Sequence, residues 1–403
     1  MKLCVRKGYR VDTLFVLSGI AIRLARKMGL HRDGASLGLS PFDTEMRRRL
    51  WWYLVHVDFR TADVLGTRPS MDLFSGDTKM PLNIEDEDLD PDMVNLPPEK
   101  NGITPITLCL IQCQTMETLR KFATASGDVR WEVLFSPDVS ISKKENIISQ
   151  IEDHHERKYL RYCDPSEPLH TMASIMIRSS ICKMKLFAHN RRHFANSFGE
   201  TSQRERAIVF QNAIKLLEYI ALLKSGHHGL EKYTWQTGTS YLWNTILYVL
   251  IETRHRKTGP EVDRSWRLIG SVLSHYPQVF EKTTGVVYTA LGKWILEVWD
   301  HYVAASEAEG LSEPSTPEYI SAIRRCRRPE IEASSGTSTS VSRPVTENPL
   351  NYGNLSSQKY ESNPSDFAPF DFPDLFSFEM NPNDWEQWEQ LIAKQEFAHV
   401  DGM

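Results

Sequence analysis

An acidic run in this 403-residue sequence has the residue types that metal chemistry requires. Residues 85–92 read EDEDLDPD, and alternating acids of this kind are typical of a calcium-binding loop. In a loop starting at Asp86, however, the central glycine is replaced by Pro91 and the closing glutamate by Pro97. The calcium hypothesis therefore fails, and we expect a solvated acidic loop.

A pair of cysteines is the second candidate for metal chemistry. Cys109 and Cys113 are four residues apart, which places both thiols on one face of a helix. A structural zinc site needs four ligands, and no other Cys or His pair with zinc-site spacing lies close in sequence. The pair therefore predicts small buried side chains. The sequence predicts neither a metal site nor a catalytic site.

Hydrophobic periodicity predicts the elements that carry these residues. Residues 1–330 show apolar residues at helical spacing and no sustained alternation of period two, which predicts an all-α, multi-helix domain. No stretch approaches the roughly 18 apolar residues of a membrane helix, so we expect no membrane partner. The predicted helices lie near residues 14–28, 41–65, 104–125, 144–160, 168–190, 203–224, 234–255, 262–275 and 287–308.

The first two helices carry the clearest boundary signals and apolar stripes. Gly29 suits a left-handed C-terminal cap of the first helix, and Ser40 and Pro41 suit the start of the second. The expected core residues of the first helix are Leu14, Leu17, Ala21, Leu24, Ala25 and Met28. Those of the second are Leu50, Leu54, Val57, Thr61 and Val64, broadened by Trp51, Val55 and Leu65.

The segment from Ala21 to Pro69 resembles the fungal-specific transcription factor domain, the regulatory middle region of binuclear zinc-cluster transcription factors. Its most specific feature is an Arg-Arg-Leu-Trp-Trp run after Gly-Leu-His-Arg, and the clear match covers about residues 14–95. The signature residues are Gly29, Leu30, His31, Arg32, Arg47, Arg48, Arg49, Leu50, Trp51, Trp52, Asp58, Gly66, Arg68 and Pro69.

The resemblance implies an all-α regulatory region in a nuclear regulator of RNA polymerase II transcription, with a metabolic or secondary-metabolite pathway as a further expectation. The family usually carries six clustered cysteines that hold two zinc ions and bind DNA. The six cysteines here are scattered, at positions 4, 109, 113, 163, 182 and 326. We therefore expect no cofactor in this chain and DNA contact only if a zinc cluster is present elsewhere; a homodimer stays open.

Two alternatives remain. One is a partner-binding regulator with no DNA contact of its own, and the other is an all-α enzyme such as an isoprenoid cyclase. The arginines at 47–49 do not decide between them, because three successive helical residues point about 100° apart and cannot form one phosphate-binding face. We expect Arg47 and Arg48 to pair with acids such as Asp33, Asp43 or Glu45, or to lie along the helix surface.

The C-terminal part of the sequence differs in composition from the rest. Residues 331–366 are rich in Ser, Thr, Asn and Pro and predict a disordered linker. Residues 361–403 hold ten acids and one base, a balance of −9. Residues 367–403 predict an acidic activation segment that binds transcription machinery or coactivators, with a docking arm or a solubilising tail as alternatives. Its key side chains are Phe367, Phe370, Phe372, Phe376, Phe378, Trp385, Trp388 and Ile392; the last three share one helical face.

Overall fold

The structure is a computed structural model that describes residues 11–64, 76–125, 139–195, 203–236, 242–276, 280 and 286–334. Within these ranges the regular elements are helices, without strands, so the all-α prediction is confirmed. The α-helices are α1 (Val11–Lys27), α2 (Pro41–Val64), α3 (Thr107–Ala125), α4 (Ile141–Lys158), α5 (Pro168–Ala195), α6 (Gln203–Lys224), α7 (Leu242–Arg256), α8 (Pro260–Leu273), α9 (Val286–Ala308) and α10 (Glu318–Ser334).

The boundaries of α1 and α2 follow the predicted capping residues. Gly29 has a φ of 71°, and the amide of Leu30 donates to the carbonyl of Ala25, which is the bond expected after a left-handed cap. At the start of α2, the amide of Asp43 donates to the Ser40 hydroxyl at 3.1 Å. The loop between the helices is therefore held at both ends by local hydrogen bonds.

The helices pack largely in chain order. α1 and α2 form a hairpin, α2 packs on α3, and α3 contacts α4 and α5. Helices α5, α6 and α7 pack on one another in sequence, α8 lies against α6 and α7, and α9 joins α7 to α10. The N-terminal hairpin is thus attached to the larger helical body through α3.

Three apolar clusters match this arrangement. The largest is built from side chains of α4 to α10, and it includes Leu242, Leu247, Trp294, Val298 and Trp299. A smaller cluster joins α1, α2 and α3 through Ile22, Trp51, Trp52, Val55 and Met116. A third lies between α3, α5 and the 3-10 helix His227–Gln236. The apolar stripes of α7 and α9 are buried, including Val249 and Leu250 in α7 and Ile295 in α9.

The burial of the two N-terminal helices follows the predicted stripes only in part. In α1, Leu17, Leu24 and Met28 are exposed, whereas Ala25 is buried as predicted, together with Ser18 and Ile22 on the side of α2. In α2, the predicted core residues Trp51, Val55, Val57 and Thr61 are buried, and Leu50 is exposed. α1 carries apolar side chains on more than one face, so its helical period alone did not determine which face packs. The Ser18 hydroxyl hydrogen bonds to Asp58 at 2.9 Å, which helps to fix the observed orientation.

Two further differences concern helix boundaries. Of the helix predicted near 234–255, residues 234–236 belong to the 3-10 helix His227–Gln236, and α7 spans Leu242–Arg256. The helix α10 had not been assigned, although Pro317 and Glu318 are residues that favour a helix start. It ends at Ser334, four residues past the predicted limit of the helical domain, and the rest of the predicted linker lies outside the described residues.

None of the described helices has both the length and the apolar character needed to cross a membrane.

The aromatic contact between α8 and α9 provides a test of the main core. The rings of Trp266 and Trp299 are 5.0 Å apart and nearly perpendicular, and Trp299 is only 2% exposed. We expect Trp299→Ala to lower the free energy of unfolding by about 3–5 kcal/mol, because it leaves a large cavity in the core. Urea denaturation followed by circular dichroism measures this change. Leu311→Ala, at an exposed position, is the control and should change stability by less than about 0.5 kcal/mol; equal effects of the two substitutions would contradict the packing.

Candidate functional site

Two signature residues, Arg48 and Arg49, lie in a polar cluster between α1, α2 and the segment that follows residue 75. We define this polar cluster as Asp33, Glu45, Arg48, Arg49 and Asp86, together with the backbone of residues 79–82. Its members come from the loop after α1, from the first two turns of α2 and from the acidic run at 85–88. The cluster therefore joins three parts of the chain that are well separated in sequence.

A buried ion pair forms the centre of the cluster. The guanidinium of Arg48 donates two hydrogen bonds of 2.8 Å to the two carboxylate oxygens of Asp33. The side chains of Arg48 and Asp33 are 5% and 2% exposed. Asp33 also accepts hydrogen bonds from the amides of Ala35 and Lys79. The Asp33 carboxylate thus accepts four hydrogen bonds inside the protein. A buried ion pair is tolerated when additional hydrogen bonds of this kind satisfy its polar atoms.

The pKa of Asp33 reflects this environment. Burial alone would raise the pKa, but the hydrogen bonds from Arg48 and from the Lys79 amide, together with the Arg48 charge, lower it to about 2. The carboxyl group is therefore ionised at neutral pH and holds its cationic partner in place.

Glu45 makes the second buried carboxylate of the cluster. It is fully buried and accepts hydrogen bonds of 3.1 Å from Arg49 and from the amide of Leu82. Burial raises the pKa of Glu45, while Arg49, the Leu82 amide and Arg48 act in the opposite direction. Arg49 continues the chain of contacts to Asp86 at 2.8 Å. The acidic run is thereby tied to α2.

The segment after residue 75 is held against the hairpin by its backbone as well. The carbonyl of His31 accepts a hydrogen bond from the Asp77 amide, and the Trp52 indole donates to the Lys79 carbonyl at 2.9 Å. A Cβ atom on Gly76 would lie 1.8 Å from the His31 carbonyl oxygen, so only glycine permits this approach. The Thr78 hydroxyl adds a 2.8 Å bond to the Leu30 carbonyl.

The three arginines therefore have structural partners, as the helical geometry predicted. Arg48 pairs with the acid Asp33, Arg47 donates to the Met28 carbonyl at 3.0 Å, and Arg49 binds Glu45 and Asp86. The partner of Arg47 is thus a backbone carbonyl instead of an acid. None of the three presents an unoccupied guanidinium group in a shared anion-binding surface.

Other signature residues contribute to packing. Trp51 and Trp52 are buried in the cluster between α1, α2 and α3, and the His31 ring lies 6.2 Å from the Trp51 ring. Asp58 is fully buried and accepts the hydrogen bond from Ser18. Arg32 forms an exposed ion pair with Asp77. Gly66, Arg68 and Pro69 lie outside the described residues, as does the whole predicted activation segment at 367–403.

The residues that first suggested metal chemistry also have other roles. Asp86 pairs with Arg49, and Asp88 pairs with Lys100 at 2.6 Å. The thiols of Cys109 and Cys113 lie 3.8 Å apart on α3, with Cys113 buried below α2. Among the residues that the structure describes, no group of three or more His, Cys, Asp or Glu side chains could hold a metal ion.

The acidic partners of the arginines could be predicted from the sequence, whereas the loop that completes the polar cluster could not. Asp33 and Glu45 were candidate partners because they lie close in sequence to residues 47–49. The contributions of Asp77, Lys79, Leu82 and Asp86 were missed. Two of these act through backbone amides or carbonyls, for which side-chain type carries no signal; the pairing of Asp86 with Arg49 spans 37 residues.

The N-terminal part of the chain, which carries the polar cluster, matches a known family model. Residues 3–151, which include α1, α2, α3 and part of α4, match the model of the fungal specific transcription factor domain. The resemblance seen in the sequence is therefore confirmed, and the polar cluster lies inside the matched region. No solved structure matches the chain.

Named relatives extend the similarity beyond the matched domain. The chain is 27% identical over 395 residues to the aurofusarin cluster transcription factor of Gibberella zeae, an alignment that covers 94% of this chain and 58% of that protein. It is 25% identical over 328 residues to a pyriculol/pyriculariol biosynthesis cluster transcription factor of Pyricularia oryzae, covering 78% of this chain and 43% of the relative. The chain thus spans about half the length of these relatives.

The buried ion pair provides a direct test of the cluster. We expect Asp33→Ala to lower the free energy of unfolding by about 3–5 kcal/mol, because it leaves the Arg48 charge buried without its partner. Urea denaturation measures the loss, with the exposed Glu87→Ala as a control. Replacing both partners, as Asp33→Leu with Arg48→Met, should cost less than Asp33→Ala alone. If the single and double variants lose equal stability, the ion pair is not the centre of the polar cluster.

The lowered pKa of Asp33 predicts a specific pH dependence. Because its folded-state pKa, about 2, lies below its ordinary value of 3.8, this carboxyl stabilises the fold above pH 4, and that contribution is lost as the pH falls towards 2. The stability difference between the wild type and Asp33→Asn should therefore shrink as the pH is lowered from 5 towards 2. Urea midpoints measured over this range test the expectation. Glu45→Gln is the contrast, because the pKa of Glu45 is raised and its variant should not show this narrowing; a difference for Asp33→Asn that stays constant with pH would contradict the assignment.

Proposed function

We propose, from the premise that residues 3–151 belong to the fungal specific transcription factor domain family, that this chain regulates transcription by RNA polymerase II. The family match carries this proposal. The named relatives are transcription factors of the aurofusarin and pyriculol/pyriculariol clusters, which supports a secondary-metabolite gene cluster as the target. The corresponding place of action is the nucleus.

The arrangement of the described residues supports regulation over catalysis. The ionisable groups of the polar cluster are consumed by internal ion pairs and backbone hydrogen bonds. An isoprenoid cyclase needs convergent carboxylates that hold magnesium, whereas Asp86 and Asp88 each pair with a cation of the protein. The alternative of an all-α enzyme is therefore not favoured.

In this function, DNA would be contacted by a zinc cluster outside these 403 residues, because the sequence contains none. The 403 residues hold six cysteines in scattered positions, and the arginines at 47–49 bind carboxylates or a carbonyl of the protein. Two other basic runs also contribute to helix packing: Arg254 pairs with Glu297, and Arg324 pairs with Asp300. This distribution of charge fits a regulator that acts through a separate DNA-binding partner, either as a single chain or as a homodimer.

The proposed effector is the acidic aromatic tail. Its aromatic side chains are separated by carboxylates, which keep them hydrated until a partner groove buries them. Trp385, Trp388 and Ile392 share one face if a helix begins near Asn383, as the sequence predicts. The partners of this face are coactivators or other parts of the transcription machinery.

A fusion experiment tests the effector role. Residues 361–403 are joined to an unrelated DNA-binding domain, and output from a reporter gene is measured. We expect activation, and we expect it to fall at least about fivefold when Phe376, Trp385 and Trp388 are replaced by alanine, since aromatic anchors dominate such contacts. Gln387→Ala with Gln390→Ala is the matched control, because these side chains lie away from the proposed contact face. An inactive fusion, or equal loss in the control, would refute the effector role.

A further inference from the structure

The described part of the chain has one concentrated exposed apolar surface. Among the described residues, twelve large hydrophobic side chains are exposed, and nine of these lie between residues 16 and 50. Five belong to α1 or directly follow it: Val16, Leu17, Ile20, Leu24 and Met28 are between 44% and 64% exposed. Concentration on one helix distinguishes this surface from the scattered apolar residues of an ordinary protein surface, and it marks an interaction site.

The five side chains form a continuous row. Val16, Ile20, Leu24 and Met28 follow one another at intervals of four residues, and Leu17 lies beside them. The opposite face of α1 is the one that packs on α2 through Ser18, Ile22 and Ala25. We call the exposed row the α1 face. It has the spacing of a surface that receives another amphipathic helix.

Basic residues border the α1 face. Arg23 and Lys27 are exposed, and neither forms an ion pair with a described residue. By helical geometry they lie along the edge marked by Val16 and Ile20. No acidic residue occurs from Thr13 to Arg32. A partner suited to this face therefore has an apolar row with acids along one edge.

From these features we propose that the α1 face binds the C-terminal segment 384–396 of the same chain. A helix in this segment places Trp385, Trp388 and Ile392 on one face. It also places Glu389 and Glu396, seven residues apart, along one edge of that face. The aromatic row and its acids match the apolar row and bases of α1.

A second copy of α1 fits the same face less well. Pairing two α1 helices through their apolar rows would bring the bases of one copy near those of the other, and each helix has the single acid Asp12 against three bases. The tail instead supplies the opposite charge, since residues 361–403 have a balance of −9. Electrostatic complementarity thus selects the tail over self-association.

The chain is long enough for this contact. Residues 335–383 separate the end of α10 from the segment, and these 49 residues span up to about 160 Å when extended. A compact domain of the size described has a radius of gyration of about 20 Å. The connection therefore sets no geometric limit. While it is bound, the segment cannot offer Trp385 and Trp388 to a coactivator, so the contact competes with the proposed effector role but does not depend on it.

Photocrosslinking of the full 403-residue chain tests the proposal. The crosslinking residue p-benzoylphenylalanine replaces Leu24, whose exposed position makes a folding defect avoidable, and crosslinked peptides are identified by mass spectrometry. We expect crosslinks from position 24 to residues 380–396. The same probe in place of Tyr162, an exposed aromatic residue outside the α1 face, is the matched control and should give none. Irradiating an equal mixture of ¹⁴N- and ¹⁵N-labelled chains separates contacts within one chain from contacts between two.

Charge and aromatic variants then identify the contact. Trp385→Ala with Trp388→Ala should lower the crosslink yield by about tenfold or more, since two buried aromatic anchors are lost. Arg23→Glu with Lys27→Glu should lower it severalfold, and adding Glu389→Lys with Glu396→Lys should restore it, because the charges are then exchanged. Crosslinks from position 24 to α1 of another chain would overturn the proposal in favour of a second copy. The absence of tail crosslinks would overturn it as well, whatever the outcome of the reporter experiment.

Discussion

The buried pairing of Arg48 with Asp33 is the interaction on which the N-terminal part of the structure depends. Arg48 belongs to α2, Asp33 to the loop after α1, and the Lys79 amide that completes the site to the segment beyond residue 75. Three regions distant in sequence therefore meet at one carboxylate. An ion pair out of contact with water stabilises only the arrangement in which every partner is present, so it gives this region a single geometry instead of a general attraction.

This constraint explains why the sequence signature is specific without being catalytic. Arg47, Arg48 and Arg49 follow one another, yet they bind a carbonyl, a buried aspartate and a pair of acids in three directions. The adjacent Trp51 and Trp52 fill the core beneath them. A signature of this kind preserves the shape of a hairpin. The match of residues 3–151 to a transcription factor domain is consistent with a region that positions surfaces for partners.

The same orientation leaves part of α1 uncovered. Because Ser18, Ile22 and Ala25 face α2, the row from Val16 to Met28 is turned outward. Apolar side chains on both faces of one helix cannot all be satisfied by one neighbouring helix. A partner that covers this row removes exposed apolar area from water. The tail has aromatic side chains for such a contact, and its acids are opposite in sign to the bases beside the row.

The all-α class, most helix positions, the caps at Gly29 and Ser40, and the resemblance to the transcription factor domain could be predicted from the amino-acid sequence, since they depend on local residue order and short-range spacing. The sequence also showed that the arginines at 47–49 could not share one face. Long-range packing selects the face of α1 that is buried, and it brings Asp86 to α2 and the Lys79 amide to Asp33. The reason is physical: helical periodicity reports that a face is apolar, but only the neighbouring helix and its long-range hydrogen bonds select the face that leaves the solvent.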